Sequence, residues 1–342
     1  MHCRANQFGD PFDMVDETSP NPPRVPVTII TGFLGAGKTS LLNHILSGDH
    51  GRRIAVLVND FGSVNIDADL VKNRSGEVLS LENGCICCSL SDGLLVTALR
   101  VIRQEEPPEH IVIETSGVAD PYEVARTFSD SELQAFAPLD GIITVVDCEL
   151  TPGLEGDMLE LAKRQISAAD VAVLNKVDLV DADGLQRAQD WVEKLAPNSR
   201  SLEVTNGQAP LELILGVGGA CELDSIDDEK RAPSHSADSF ESFTWESNEP
   251  VSMQTLNTVL GRLPKTIFRT KGFLFLSEKS DHRCILQATS GRAAITVGQP
   301  WGDEAPKSRI VFIGSNAGVN SSEISALFQE HATEHRTSSE TS

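Results

Sequence analysis

The chain has 342 residues, of which 40% are hydrophobic and 23% are charged, as in ordinary globular proteins. This length predicts about two domains with full-sized cores. The 50 acidic and 28 basic residues give a formal net charge of -22, which disfavours binding to nucleic acid or to an anionic membrane. No apolar stretch has the length of a membrane span or of a secretory signal core. We therefore expect a cytoplasmic protein without nucleic-acid or membrane partners, whose seven cysteines are thiols and not disulfides.

The first part of the chain has the pattern of an α/β domain. Residues 1–23 are polar and rich in proline, which predicts a disordered leader. Over residues 24–215, short apolar runs alternate with helix-like stretches, the pattern of a mostly parallel sheet. The predicted strands are residues 25–30, 54–58, 111–113, 141–146, 171–174 and 202–205. A helix is expected over residues 40–47, directly after the first strand.

The second part predicts a smaller α+β domain. Residues 216–239 contain glycines, acidic residues and a proline but little apolar periodicity, which predicts a linker. Residues 240–330 form the second predicted domain, and residues 331–342 are expected to form a flexible tail. Its predicted strands are residues 240–245, 267–276, 284–289, 293–297 and 309–313, and its helices are residues 253–260 and 324–328. His331 and His335 have the spacing of a helical ligand pair, but we expect ordinary positions in a polar tail.

A phosphate-binding loop stands at the end of the first predicted strand. Residues 32–39 read Gly-Phe-Leu-Gly-Ala-Gly-Lys-Thr and fit GxxxxGK[ST] between a strand and a helix. Glycines allow backbone amides to converge on phosphates, Lys38 would bridge the terminal phosphates, and Thr39 would bind Mg²⁺. The alternative, a glycine-rich turn that opens a helix, does not explain Lys38 and Thr39 in register. The predicted nucleotide contacts are Gly32, Gly35, Ala36, Gly37, Lys38, Thr39 and Ser40. We therefore expect a P-loop NTPase domain.

A second motif indicates which base is bound. Asn175-Lys176-Val177-Asp178 directly follows a predicted strand. A carboxylate at Asp178 can accept hydrogen bonds from the ring and exocyclic donors of guanine, whereas adenine presents the opposite pattern. Asn175 would tie this segment to the phosphate loop, and the stem of Lys176 would cover the base. Asn206, after the next strand, is a weaker candidate for contact with the base. The motif predicts GTP over ATP.

Two more strand ends carry carboxylates. Glu114 opens Glu-Thr-Ser-Gly, where the carboxylate can hold Mg²⁺ or its water and Gly117 can sense the γ-phosphate, as in a switch region. Asp60 follows another strand, although a strand-ending turn explains this residue equally well. The predicted catalytic residues are Lys38, Glu114 and Asp60.

Three cysteines form a cluster between these two segments. Cys85, Cys87 and Cys88 lie in Gly-Cys-Ile-Cys-Cys, and thiolates suit Zn²⁺ and other thiophilic ions. A closed structural zinc site takes four ligands, often from two CxxC pairs, and the sequence has no second pair. An open site suits a carrier that hands its metal on; thiol redox chemistry and simple packing stay as alternatives. Cys148 and Cys284 have apolar surroundings and are expected in the core.

Together, GFLGAGKT, GCICC, ETSG and NKVD resemble the motifs of the CobW-type, CxCC-containing metallochaperone GTPases, which are related to UreG and HypB. The similarity extends over residues 25–328, and residues 300–303 and 311–314 place it nearest the YjiA-like branch. The resemblance implies hydrolysis of Mg²⁺-GTP to GDP and phosphate, coupled to delivery of a metal to a client apo-metalloprotein. It also implies that Cys85, Cys87 and Cys88 bind this metal, Zn²⁺ or else Co²⁺. A homodimer stays open.

The chain departs from this family in two places. Members often read Glu-Asn-Glu-Phe-Gly-Glu where residues 58–63 read Val-Asn-Asp-Phe-Gly-Ser. Many members also carry a His-rich stretch in or after the linker, whereas the linker here contains only one histidine, His235. Fewer accessory metal ligands are therefore expected. Two functions of other classes stay open: a GTP-switched thiol redox sensor, and a GTP-dependent assembly factor without metal transfer.

Overall fold

The computed structural model describes residues 24–48, 50–59, 77–80, 90–128, 131–134, 136–215, 240–289, 292–302, 304–315 and 320–339. The chain divides into two compact units, and the division falls after Leu215. The predicted leader, residues 1–23, and the predicted linker, residues 216–239, lie outside the described residues. In the part of the chain that is described, no helix is both long and apolar enough to cross a bilayer.

The described residues of the first unit form a seven-stranded sheet, and each pairing among them is parallel. Its strands are β1 (Val27–Thr31), β2 (Ile54–Asn59), β3 (Glu77–Ser80), β4 (His110–Thr115), β5 (Leu139–Asp147), β6 (Val171–Asn175) and β7 (Arg200–Val204). Their order across the sheet is β3-β2-β4-β1-β5-β6-β7. The predicted α/β class is confirmed, and β3 is the one strand of this sheet that the sequence pattern did not predict.

The helices of the first unit bury apolar faces against this sheet. Within the described residues they are α1 (Lys38–Ser47), α2 (Leu90–Ile102), α3 (Pro121–Thr127), α4 (Ser131–Gln134), α5 (Gly156–Ser167), α6 (Ala182–Leu195) and α7 (Leu211–Leu215). One core packs Leu94 and Ala98 of α2 and Val124 of α3 with residues of β1, β2 and β4. Another packs Ile166 of α5 and Ala188 of α6 with residues of β5 and β6. These cores hold the strand ends in fixed positions.

The strand order locates the binding edge of the sheet. The strands that follow β1 along the chain first fill one side of the sheet, as β2, β3 and β4, and then the other, as β5, β6 and β7. In doubly wound sheets, ligands bind at the carboxyl ends of the strands, where the order reverses. The loop after β1 occupies this position, and it is the phosphate-loop sequence.

The second unit has a five-stranded antiparallel sheet in the order β11-β10-β9-β12-β8. Its elements are β8 (Phe240–Ser247), α8 (Met253–Arg262), β9 (Ile267–Leu276), β10 (Lys279–Thr289), β11 (Arg292–Pro300), β12 (Ser308–Ser315) and α9 (Ser321–Ser339). Leu256 and Val259 of α8 and Ile324 and Phe328 of α9 pack on the sheet. The rings of Trp245 and Phe328 stack with centroids 3.8 Å apart. This arrangement confirms the predicted smaller α+β domain.

Two predicted boundaries in this unit are wrong. Strand β10 begins at Lys279, before the predicted start at residue 284, with irregular register in both of its pairings before Cys284. Helix α9 continues to Ser339, past the predicted helix end at residue 328 and into residues 331–342, whose flexibility stays a prediction. Neither glycine nor proline occurs between Ser321 and Ser339, so no residue that would end the helix interrupts it.

Candidate nucleotide-binding site

The loop between β1 and α1 has a backbone that only glycine accommodates. Gly32, Gly35 and Gly37 have positive φ angles of 139°, 75° and 104°. A Cβ atom on Gly32 would lie 2.2 Å from the carbonyl oxygen of Val145 in β5. A Cβ atom on Gly37 would lie 2.2 Å from Nδ2 of Asn175. The glycines therefore allow the loop to pass directly against the ends of β5 and β6.

Lys38 is held against this loop. Its side-chain Nζ donates hydrogen bonds to the carbonyl oxygens of Gly32 at 3.0 Å and Phe33 at 3.2 Å. The residue is only 8% exposed, so its charge is largely shielded from water. A cation at the N-terminus of α1, beside a loop of backbone amides, favours a bound anion such as a phosphate. This arrangement agrees with the predicted role of Lys38, which stays a prediction.

Two oxygen donors meet beside Lys38. The hydroxyl of Thr39, in the first turn of α1, donates to Oε1 of Glu114 at 2.9 Å. Glu114 stands in β4 next to β1 and is 3% exposed. Hydroxyl and carboxylate oxygens are hard ligands of the kind that Mg²⁺ prefers, and Mg²⁺ usually binds one or two carboxylates and keeps several waters. The predicted pair therefore fits Mg²⁺, with Glu114 as a direct ligand or through a water.

Asn175 links three loops. Its Nδ2 donates to the carbonyl oxygen of Ala36 at 2.8 Å, and its Oδ1 accepts from the amide of Gly207 at 3.0 Å. The side chain is 2% exposed, so water does not compete for these bonds. Asn206 and Gly207 both have positive φ angles, which form the tight turn that brings the Gly207 amide to Asn175. The predicted link from Asn175 to the phosphate loop is present.

Lys176 is oriented by an aspartate that the sequence analysis missed. Its backbone has a left-handed φ of 62°, and its Nζ lies 2.6 Å from Oδ2 of Asp147 at the end of β5. The other oxygen of Asp147 accepts from the amides of Glu149 and Leu150. Asp178 follows in a short 3₁₀ turn and is exposed, so it is accessible for its predicted contact with the base. Asp147 directly follows a predicted strand, so the strand-end rule that selected Glu114 also applies to it.

The loop after β4 lies against the phosphate loop. A Cβ atom on Gly117 would lie 2.6 Å from Cδ2 and 2.9 Å from Cα of Leu34, so only glycine allows this approach. The carbonyl oxygens of Gly117 and Ala119 accept hydrogen bonds from Nε2 of Gln165 on α5, both at 3.1 Å. No local pattern marks Gln165, because its partners lie more than 40 residues earlier in the chain.

The predicted metal ligands Cys85, Cys87 and Cys88 lie outside the described residues, as does Asp60. The cysteines belong to the segment that joins β3 to α2. Within the described ranges, no group of three or more His, Cys, Asp or Glu residues can hold a metal ion. His331 and His335 lie on α9, where the side chains are not described.

The two cysteines predicted in the core are buried. Cys148 is 2% exposed and Cys284 is 0% exposed. Burial, with the nearby carboxylates of Asp147 and Glu203, raises the pKa of Cys148 to about 11. Burial likewise raises the pKa of Cys284 to about 11. These thiols are therefore protonated at neutral pH and are poor metal ligands and nucleophiles.

Comparison with known proteins agrees with this geometry. Residues 26–203 match the CobW/HypB/UreG nucleotide-binding domain, and residues 240–332 match the cobalamin synthesis protein CobW C-terminal domain. The zinc chaperone CobW of Sinorhizobium sp. is 31% identical over 86% of this chain and 94% of its own length. The zinc chaperone YjiA of Escherichia coli is 32% identical over 85% of this chain and 94% of its own length.

Among solved structures, the Zn(II)-bound YjiA GTPase from E. coli is 28% identical and covers 90% of this chain and 98% of its own, with a TM-score of 0.44. The two family matches together include both structural units, and the first of them alone spans more than half of the chain. The chain therefore belongs to the CobW/HypB/UreG family of P-loop GTPases.

Proposed function

We propose that this GTPase is a zinc metallochaperone: it binds Zn²⁺ through Cys85, Cys87 and Cys88 and transfers it to a client apo-metalloprotein when GTP is hydrolysed. The proposal is carried by the position of the cysteine segment. It joins the carboxyl end of β3 to α2, and the phosphate loop follows the carboxyl end of β1 in the same parallel sheet. Relatives that align with 85% or more of the chain are named zinc chaperones.

The nucleotide is GTP bound with Mg²⁺. Lys38 neutralises the terminal phosphates, and the amide of Gly117 binds the γ-phosphate. Thr39 and Glu114 would hold Mg²⁺, and the ion would supply positive charge that neutralises the phosphates. Glu114 and Asp60 orient the attacking water. Asp178 accepts hydrogen bonds from guanine, while Lys176 covers the base. Further contacts come from Gly32, Gly35, Ala36, Gly37, Ser40, Asn175 and Asn206.

Binding of GTP and of the metal must be coupled for transfer to work. A ligand shifts a conformational equilibrium only by its difference in affinity for the two states. GTP therefore favours the conformation that holds Zn²⁺ tightly, and hydrolysis removes this preference and releases the metal. The cysteine motif itself supplies three thiolates, and a tetrahedral zinc site has a fourth position that a ligand from the client can occupy.

The coupling is tested by titrating Zn²⁺ into the full chain against a competing chelator, with and without Mg²⁺ and a slowly hydrolysed GTP analogue. We expect tighter zinc binding with the nucleotide, and loss of this effect in Lys38→Ala and Cys87→Ser. Cys221→Ser, at an isolated cysteine, is the matched control and should behave as the parent. Equal zinc affinity with and without nucleotide would contradict the coupling.

The carried metal and the two alternative functions have separate tests. The metal bound from a buffered mixture of Zn²⁺, Co²⁺, Ni²⁺ and Fe²⁺ identifies the cargo, because availability as well as affinity sets occupancy.

A redox sensor would show low thiol pKa values and reversible oxidation in the metal-free protein. Release of phosphate that Lys38→Ala abolishes would exclude an assembly factor that does not hydrolyse GTP.

A further inference from the structure

A buried glutamine on α5 holds the loop that follows β4. Gln165 is 1% exposed, and its Nε2 donates to the carbonyl oxygens of Gly117 and Ala119. Its backbone carbonyl accepts a hydrogen bond from the hydroxyl of Thr144 at 2.9 Å. Thr144 belongs to β5, so this bond fixes the end of α5 to the sheet. One residue thus connects the loop to the rigid part of the domain.

The orientation of the Gln165 amide follows from its neighbours. Carbonyl oxygens only accept hydrogen bonds, so the NH₂ group must face both Gly117 and Ala119. The Oε1 atom of Gln165 is buried and makes no hydrogen bond within the described part of the chain. An unsatisfied buried oxygen destabilises the folded state. Among the described residues, the Gln165 side chain therefore donates two hydrogen bonds and accepts none.

The preceding residue of α5 makes a second connection to the same loop. Nε of Arg164 lies 3.3 Å from Oδ2 of Asp120. Asp120 in turn caps α3, because its Oδ1 accepts from the amide of Tyr122 at 3.0 Å. Two consecutive residues of α5 therefore contact the loop at three positions, and a shift of the loop is opposed by this helix.

We propose that Gln165 is a positioning residue for recognition of the γ-phosphate. It holds Gly117 against Leu34, and so keeps the Gly117 amide beside the loop that would carry the phosphates of GTP. The inference rests on the proposed role of Gly117. GDP has no γ-phosphate and does not use this amide. Loss of the two donors therefore weakens binding of GTP more than binding of GDP.

The test measures the affinities of the full chain for GDP and for a slowly hydrolysed GTP analogue, both with Mg²⁺, by calorimetry. Gln165→Met keeps the volume and removes the donors; Gln186→Met is the matched control at an exposed glutamine on α6 that is bonded to Asp190. We expect the preference for the GTP analogue over GDP to fall about tenfold in Gln165→Met and to be unchanged in the control. A merely structural role would weaken both nucleotides equally, and a preference within about twofold of the parent would overturn the inference.

A measurement on the parent protein covers the case that Gln165→Met does not fold. Hydrogen exchange should be slower with the GTP analogue than with GDP, both in the loop around Gly117 and in the last turn of α5. Slower exchange in the loop alone would overturn the coupling.

Gly117→Ala separates this inference from the proposed function. If Gly117→Ala lowers the preference for GTP and Gln165→Met does not, only the role of Gln165 fails; if Gly117→Ala has no effect, the assigned role of Gly117 fails, and the inference with it.

Discussion

The proposed contact of Lys176 with the base depends on an ion pair with Asp147, a residue that is distant in sequence. Asp147 is 2% exposed and accepts three hydrogen bonds, one from Lys176 and two from backbone amides. The backbone bonds fix the carboxylate, and the carboxylate then fixes the ammonium group of Lys176. A lysine has four rotatable bonds, so without this partner its stem would cover the base for only part of the time.

We expect Asp147→Asn to weaken binding of both GTP and GDP by about tenfold, because the ion pair with Lys176 is replaced by a weaker hydrogen bond from the ammonium group to a neutral amide oxygen. The ratio of the two affinities should not change, since the proposed contact of Lys176 is with the base, which GTP and GDP share. Equilibrium titration with fluorescent guanine nucleotides measures both constants. The control is Glu160→Gln, which removes an exposed carboxylate 2.7 Å from Lys163. Parental affinities in Asp147→Asn would contradict the assigned role.

The buried thiol of Cys284 makes stability depend on pH in alkaline solution. Its pKa rises from 9.0 to about 11 on folding, so the unfolded chain loses the proton first. The thiol's contribution to stability is therefore complete below about pH 8.5 and is lost as the pH rises through 9 to about 11. Below about pH 8.5, the raised pKa of Cys284 contributes about 2–3 kcal/mol to the free energy of unfolding.

Urea unfolding of the parent and of Cys284→Ala between pH 8 and pH 10.5 measures this contribution. We expect the variant to be less stable at pH 8, because its side chain leaves a cavity. The stability difference should narrow toward pH 10.5, since only the parent has a thiol to titrate at this position. A difference that stays constant over this range would show that the thiol does not have a raised pKa.

At the scale of elements, the apolar runs predicted each interior strand of the parallel sheet. Strand β3 escaped prediction because Glu77–Ser80 is only four residues long and lies at the sheet edge, where the hydrophobic pattern is weakest. In the second sheet, the start of β10 was missed because its first residues are polar. Short or polar strands form because a neighbouring strand offers hydrogen bonds. The apolar pattern along one segment does not predict which neighbouring strand is available.

In the candidate site, contacts between motif residues could be predicted, whereas contacts from a distant helix could not. Glycines and motif residues of the phosphate loop could be predicted, since their spacing is set within one strand-loop-helix unit. The contact between Asn175 and Ala36 could also be predicted, because both ends belong to motifs. Gln165 could not, because sequence alone does not show which side chain of a distant helix reaches the loop.

The turn after β7 offers a test of close approach between elements. Gly207 and Gly51 have similar φ angles, 69° and 64°. A Cβ atom on Gly207 would lie 2.6 Å from the backbone nitrogen of Leu41 in α1, whereas no atom of the described residues beyond its chain neighbours lies within 4 Å of one on Gly51. Alanine at either position has the same backbone strain, about 1 kcal/mol, but only at Gly207 does it collide with a helix.

Thermal unfolding should therefore separate the two variants. We expect Gly51→Ala to lower the Tm by about 2–4 °C. Gly207→Ala should lower it by clearly more, and should also weaken GTP binding, because the Gly207 amide contacts Asn175. Equal losses of Tm in the two variants would mean that the turn can move away from α1 at no cost.

At the scale of the whole molecule, each unit has its own hydrophobic core. The clusters around Phe128 and Ala188 belong to the GTPase unit, and the cluster around Phe312 belongs to the second unit. Charge is also divided unequally. Residues 240–342 contain 11 acidic and 10 basic residues, so nearly all of the net charge of -22 resides in residues 1–239.

We expect nucleotide to stabilise one of these cores selectively. A ligand that binds only the folded GTPase unit stabilises it by about 2.7 kcal/mol at a concentration 100 times its Kd. Mg²⁺ and a GTP analogue should raise the unfolding temperature of one transition and leave a second unchanged, and calorimetry with and without these ligands measures both. Lys38→Ala should remove the shift. A single transition that moves as a whole would instead indicate that the two units unfold together.

The two hydrogen bonds of Asn175 constrain any attempt to redesign this enzyme for another base. Asn175 lies in the motif proposed to bind the base, yet its side chain bonds the phosphate loop at Ala36 and the turn at Gly207. A substitution there would disturb triphosphate binding before it altered base preference. Asp178 is exposed. An orthogonal nucleotide, such as a xanthine analogue, should therefore be introduced through Asp178 with Asn175 kept.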